Sequence, residues 1–169
     1  MKHVHEILIL LVEDNESDVF FLQHAFKKAG IQNPVHIAND GQEAIDYLAG
    51  QGKYADRSQY PLPCLIILDL QMPRRTGLEV LQWLRAQPDL RSLPVIVHTA
   101  SSQQRDVDAA YQLGANAFVV KPASITDAVE FATLIKGFWL RFNEPPSRCV
   151  HQENEKHGSA NFESAILIR

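Results

Sequence analysis

The sequence predicts an α/β protein built on a doubly wound sheet of five parallel strands with five helices. Two observations carry this reading. Short apolar runs alternate with helix-spaced segments five times along the chain, the pattern of strand–helix units that make a parallel sheet wrapped on both sides. The first run, Ile7-Leu-Ile-Leu-Leu-Val12, is continuously apolar rather than alternating, as expected of a strand covered on both faces. Right-handed crossovers then leave few possible topologies.

Each element has a local reason. After the first strand, Asn15 to Ala29 reads as a helix, with Val19, Leu22, Phe26 and Ala29 at helical spacing and Gly30 where a left-handed cap would sit. Val35 to Ala38 is a short second strand. Asp40-Gly-Gln-Glu43 has capping-box spacing and opens a second helix to about Ala49. Gly50 to Pro63 is polar, with Gly52, Pro61 and Pro63, and is expected to be a long surface loop. Leu65 to Leu68 is the most apolar short run, the central strand, and Asp69 ends it. Thr76-Gly-Leu-Glu79 is a second capping-box spacing, and its helix stops before Pro88. Val95 to Val97 is the fourth strand, ending at His98 and Thr99. A fourth helix runs from about Gln103 to Leu113, ended by Gly114. Ala117 to Val120 is the fifth strand, ending at Lys121-Pro122, and Ser124 to Phe142 is the last helix. Asn143-Glu-Pro-Pro146 ends the domain, so residues 1–142 are read as one domain and 143–169 as a C-terminal tail or arm. The tail is mostly polar, with one apolar patch, Ala165-Ile-Leu-Ile168.

Composition narrows the function classes. A chain of 169 residues with 46% hydrophobic residues holds one domain with a full core. The formal net charge of -4 supplies no basic patch for nucleic acid and no polybasic membrane anchor. Two cysteines, Cys64 and Cys149, make no disulfide framework. Residues 7–12 are too few to span a bilayer or to form a signal-peptide core. The expected location is the cytoplasm.

In open parallel sheets the site lies beyond the carboxyl ends of the strands. The first strand ends at Glu13 and Asp14, the third at Asp69, the fourth at Thr99 and the fifth at Lys121. The second, ending in Ala38-Asn39, offers little. Three carboxylates therefore converge on one crevice. Close like charges raise each other's pKa, so the cluster needs a cation. Oxygen-only ligands with open positions suit Mg²⁺. A metal ion, a lysine and a hydroxyl around one carboxylate are the parts of a phosphoryl-transfer site, where negative charge spreads over the phosphoryl oxygens. Asp69 is the expected nucleophile, carrying the phosphoryl group as an acyl phosphate. It needs no general base, because a carboxylate is already ionised at neutral pH.

Four segments in order and spacing carry a family resemblance: Leu11-Val-Glu-Asp-Asn15, Leu68-Asp-Leu-Gln-Met-Pro73 with Gly77, His98-Thr-Ala-Ser101, and Val120-Lys-Pro122. Over about Glu6 to Phe142 the chain resembles the CheY-like receiver domains of two-component response regulators. The resemblance implies a flavodoxin-like fold with strand order 2-1-3-4-5. It implies Asp69 as phosphoacceptor from a histidine kinase, with Glu13 and Asp14 as metal-site acids. It implies the backbone carbonyl of Gln71 as a further ligand and Lys121 as a contact of the phosphoryl group. Thr99 becomes the switch hydroxyl, and Ala100 leaves the phosphate room. Phe118 takes the aromatic switch position, without the hydroxyl of the more frequent tyrosine. Within the family, the long loop before the phosphoacceptor strand and the ending Phe138-Trp-Leu-Arg-Phe142 resemble stand-alone receivers that pair with phytochrome-type kinases.

The last helix places Ala128, Ala132, Ile135 and Trp139 on one stripe, with Phe131, Leu134 and Phe138 widening it. The arc either covers a deep core or leaves an excess that forms a homodimer face. The tail has too few residues for a DNA-binding output module, so the signal is expected to pass by protein contacts. Competing readings are an aspartyl-nucleophile phosphatase or phosphotransferase, which would usually place a second Asp where Gln71 stands, and a flavin or nucleotide carrier, whose phosphate the Glu13-Asp14 pair would repel.

Overall fold

The computed structural model of the chain describes residues 7–149. Five parallel strands, β1 (Ile9–Val12), β2 (Val35–Ala38), β3 (Leu65–Leu68), β4 (Val95–Thr99) and β5 (Ala117–Val120), stand in the order β2-β1-β3-β4-β5. Between and after them lie α1 (Glu16–Lys28), α2 (Gly41–Ala49), α3 (Gly77–Ala86), α4 (Gln104–Gln112) and α5 (Ile125–Leu134). The expected order, strand count and helix count all hold. The apolar patch expected at Ala165–Ile168 lies outside the described residues.

Side chains alternate across the sheet and build two cores. Ile9, Leu11, Ile67 and Ile96 face α1 and α5, meeting Leu22, Phe26, Ala128 and Ile135. Leu10, Val12, Ile66 and Leu68 face α2 and α3, meeting Ala44, Leu48, Val80 and Leu84. Helix starts follow their local chemistry. The Asn15 side chain accepts from the amides of Ser17 and Asp18, and Thr76 and Glu79 form a complete capping box. At α2 the box is half made. Asp40 accepts from the Glu43 amide, but the Glu43 carboxylate turns to the Asn39 amide, Lys53 and Tyr54.

Two expectations change. The loop from Gly50 to Pro63 is not merely surface. Tyr54 is buried in it, on a short 3₁₀ turn over Gly52–Tyr54. Arg57 donates to the carbonyls of Tyr47 and Leu48, both at 2.8 Å, in the last turn of α2, where carbonyls run out of helical partners. The last helix changes winding, from α over Ile125–Leu134 to π over Ile135–Phe142. Five residues per hydrogen-bonded turn replace four, so the buried stripe steps from Ile135 to Leu140, and Trp139 stays only half-buried.

The register sets the ends of β2, β1 and β3 level and carries β4 and β5 two residues further. Val12 and Val97 both pair with Leu68, and Thr99 pairs with Val120. The ladder then runs one residue further. Glu13 donates to the Ala38 carbonyl at 3.0 Å, Asp69 to Val12 at 3.0 Å and Lys121 to Thr99 at 2.8 Å. The backbones that carry three charged side chains are therefore part of the sheet, not of free loops.

Gly77 seats α3 against this rim. A Cβ there would stand 2.8 Å from the Leu70 Cα and still closer to the Asp69 carbonyl oxygen. Backbone has little room to yield, so Gly77→Ala is expected to cost about 1–3 kcal/mol and to shift Asp69. Urea unfolding of the two proteins measures this, and an unchanged midpoint would contradict the packing.

Candidate functional site

Every charged group expected at the strand ends lies at the same rim. Glu13 and Asp69 are buried and Asp14 is exposed. One carboxylate oxygen from each lies within 4.8 Å of the others. Three hard oxygen donors this close, two sheltered from water, repel one another and fit a hard divalent cation. Burial and the neighbouring Asp69 push the Glu13 carboxyl above the usual glutamate range, against the pull of Lys121.

Lys121 reaches into the acids from the end of β5. Its Nζ stands 2.7 Å from Glu13 Oε2 and 2.9 Å from Asp69 Oδ2. A third carboxylate, Asp18 Oδ2, stands 2.7 Å away. Burial works against the ammonium, but the three acids, Asp18 foremost, hold its pKa above the ordinary lysine value. Asp69 Oδ1 accepts from the Gln71 amide at 3.2 Å, which orients the carboxylate from below.

Thr99 and Phe118 stand apart from this charge cluster. The Thr99 hydroxyl is fully buried and accepts a long bond, 3.4 Å, from the Ser101 amide. Among the described residues it makes no bond to Asp69 or Lys121; its backbone carbonyl holds the Lys121 amide instead. Phe118 packs half-buried against Leu70, Val97 and Ala110. Ala100 is exposed beside Thr99.

Sequence reasoning passes over three side chains here. Asp18 has the appearance of an ordinary first-turn acid of α1, and nothing in the local sequence marks its contact with Lys121. Arg74, at a positive φ of 65°, lays its guanidinium on Asp40, with Nε 2.8 Å from Oδ2. That pair ties the loop after β3 to the start of α2. His98 is buried on β4 and stacks on Phe131 of α5, ring centroids 5.2 Å apart and planes at 2°. Its Nε2 has no partner among the described residues.

With this geometry in view, the family is plain. The response regulator receiver domain family matches residues 9–132, and the chain belongs to it. The response regulator Rcp1 of Synechocystis sp. is 38% identical over 133 residues, 79% of this chain and 88% of that protein. The Mn²⁺-bound crystal structure of Rcp1 superposes with a TM-score of 0.75 at 36% identity, over 83% of this chain and 99% of that one. The phosphorylated cyanobacterial phytochrome response regulator RcpA gives a TM-score of 0.77 at 34% identity over the same shares, 83% and 99%. RPA3017, a response regulator in red light signalling of R. palustris, gives 0.79 at 35% identity, again over 83% and 99%. The chain is thus a response regulator receiver, a signalling protein similar to those of phytochrome systems.

His98 makes a pH prediction. Burial, and then the charge of Lys121, lower its pKa from 6.5 to about 4. A group whose folded pKa is depressed contributes stability above its unfolded pKa and loses it as pH falls through the folded one. The protein should therefore lose stability from pH 6.5 downward to about 4. His98→Leu, which removes the proton site and keeps the volume, should flatten that limb. Denaturant midpoints across this range test it, and parallel slopes for both proteins would refute it.

Proposed function

We propose that this receiver accepts a phosphoryl group on Asp69 and passes the signal on through protein contacts. One observation carries the proposal: the buried Asp69 carboxylate lies within 2.9 Å of the Lys121 ammonium, at the rim where Glu13 and Asp14 complete an acidic group. In the transfer, an Asp69 oxygen attacks phosphorus, the bond from phosphorus to the donor's imidazole nitrogen breaks, and an acyl phosphate remains. Lys121 meets the charge that gathers on the phosphoryl oxygens. Thr99 donates its hydroxyl to one of them after a short shift, and Phe118 repacks as Thr99 leaves its resting place.

Glu13, Asp14 and Asp69, with the Gln71 carbonyl, would hold Mg²⁺. When bound, the ion neutralises negative charge on the transferring group. The donor set supports this choice, being oxygen throughout.

The partner we propose is a histidine kinase of phytochrome type, on the similarity to RcpA and RPA3017. Such an encounter takes place in the cytoplasm. No helix of the described residues is long and apolar enough to cross a membrane. We take the receiver unit as residues 1–142 and 143–169 as a C-terminal tail or arm, whose first residues fold back so that the Cys64 thiol donates to the Cys149 carbonyl at 3.4 Å. We further infer a homodimer through the last helix, where Leu134, Phe138 and Phe142 are 64%, 56% and 69% exposed. Exposed large apolar side chains grouped on one helix favour a second apolar surface.

Incubation with acetyl phosphate and Mg²⁺ should label one phosphoryl group per chain, acid-stable and base-labile. Asp69→Asn should abolish the label, and Lys121→Ala should slow labelling about a hundredfold, the scale of losing one charge-stabilising donor. Label that persists in Asp69→Asn would remove the assignment, and release of many phosphates per chain would point to an enzyme. Sedimentation should show a dimer that Phe138→Glu dissociates. A monomer with and without beryllofluoride would refute the dimer.

A further inference from the structure

An ammonium group has three N–H donors; Lys121 donates to Asp18 and Asp69 and forms an ion pair with Glu13. Glu13 and Asp69 belong to the group that suits a cation; Asp18 does not. Its position is fixed by the start of α1, where the Asn15 side chain accepts from the Asp18 amide at 3.2 Å. An acid in a first helical turn is favoured by the helix dipole alone. That role, however, requires no contact with a residue at the end of β5. The 2.7 Å approach to Nζ equals that of Glu13. Asp18 differs in being 40% exposed at its side chain, while Lys121 is 15% exposed. The contact therefore joins a sheltered cation to a carboxylate that can turn to water.

We propose that Asp18 is a positioning residue that restrains Lys121 in the resting receiver and sets how readily Asp69 is phosphorylated. The inference rests on Asp69 being the phosphoacceptor. A phosphoryl group brings about 1.5 to 2 negative charges to the rim. Lys121 must then turn a donor from a carboxylate to the phosphoryl oxygens. Asp18 opposes this twice, by retaining the ammonium and by adding negative charge beside the incoming group. It is the carboxylate the lysine can release most cheaply, because water takes its place. The equilibrium shifts only by the difference in what Asp18 does to the two states, so neutralising it favours the phosphorylated one.

Two measurements test this. Asp18→Asn should tighten beryllofluoride binding and speed labelling by acetyl phosphate about two- to fivefold, the scale of a partly exposed ion pair. Asp18→Glu, which keeps the charge, should stay near wild type. In metal-free protein, a urea-unfolding cycle of Asp18→Asn with Lys121→Met should show a favourable coupling between the two side chains. Labelling of Asp69 that Asp18→Asn leaves unchanged or slows would overturn the inference while leaving the phosphoacceptor in place. Zero coupling would overturn it as well. Absence of any label on wild-type Asp69 would instead remove the functional reading on which it rests.

Discussion

The ammonium of Lys121 among the acids is the contact on which the rest of this rim depends. Glu13 and Asp69 are buried on neighbouring strands with their oxygens close together. Two buried anions without a cation would cost several kcal/mol each in lost hydration. Lys121 offsets that cost in the resting protein, and a metal ion can share the task. The sheet makes the arrangement possible because the residues just past β1, β3 and β5 still belong to the hydrogen-bonded ladder. Their side chains are held by backbone geometry and do not have to find one another.

This is also why so much of the site was legible in the sequence. Continuous apolar runs locate buried parallel strands, and the common carboxyl edge of a parallel sheet brings whatever follows each run to one rim. Glu13, Asp14, Asp69, Thr99 and Lys121 needed no more than that. Asp18 was hidden because its partner lies on β5 across the site, a long-range fact that helix periodicity does not encode. The π winding was hidden for another reason. Ile135 to Phe142 is apolar enough to suit either winding, and the choice falls to the packing of Ile135 and Leu140 on the sheet. The loop before β3 concealed Tyr54 and Arg57, because its polar composition masks one buried ring and one guanidinium that caps α2.

The glycines of the rim show the same division. Gly41 and Gly77 are helical residues with no special backbone angle to announce them. What singles them out is the approach of another segment, the Arg75 carbonyl over Gly41 and the Asp69 carbonyl over Gly77. Together with the Arg74–Asp40 pair, these contacts clamp the loop after β3 between α2 and α3. That side of the site is stiff.

The other side is not. On α3 the side chains of Val80, Leu81 and Leu84 are buried, whereas on α4 only Ala110 is. The first turn of α4 lacks a side-chain cap, and β5 is an edge strand that buries none of its residues fully. Segments with few buried apolar contacts open at low cost. Thr99 and Lys121 both sit where β4 and β5 meet this weakly held helix, joined through the Lys121 amide. A charge placed on Asp69 therefore pulls on groups that lead toward α4 and β5, while the clamped loop on the α2 and α3 side resists. The direction of the response follows from that inequality of packing, and it leads away from the stiff half of the sheet toward the surface formed by α4, β5 and the last helix.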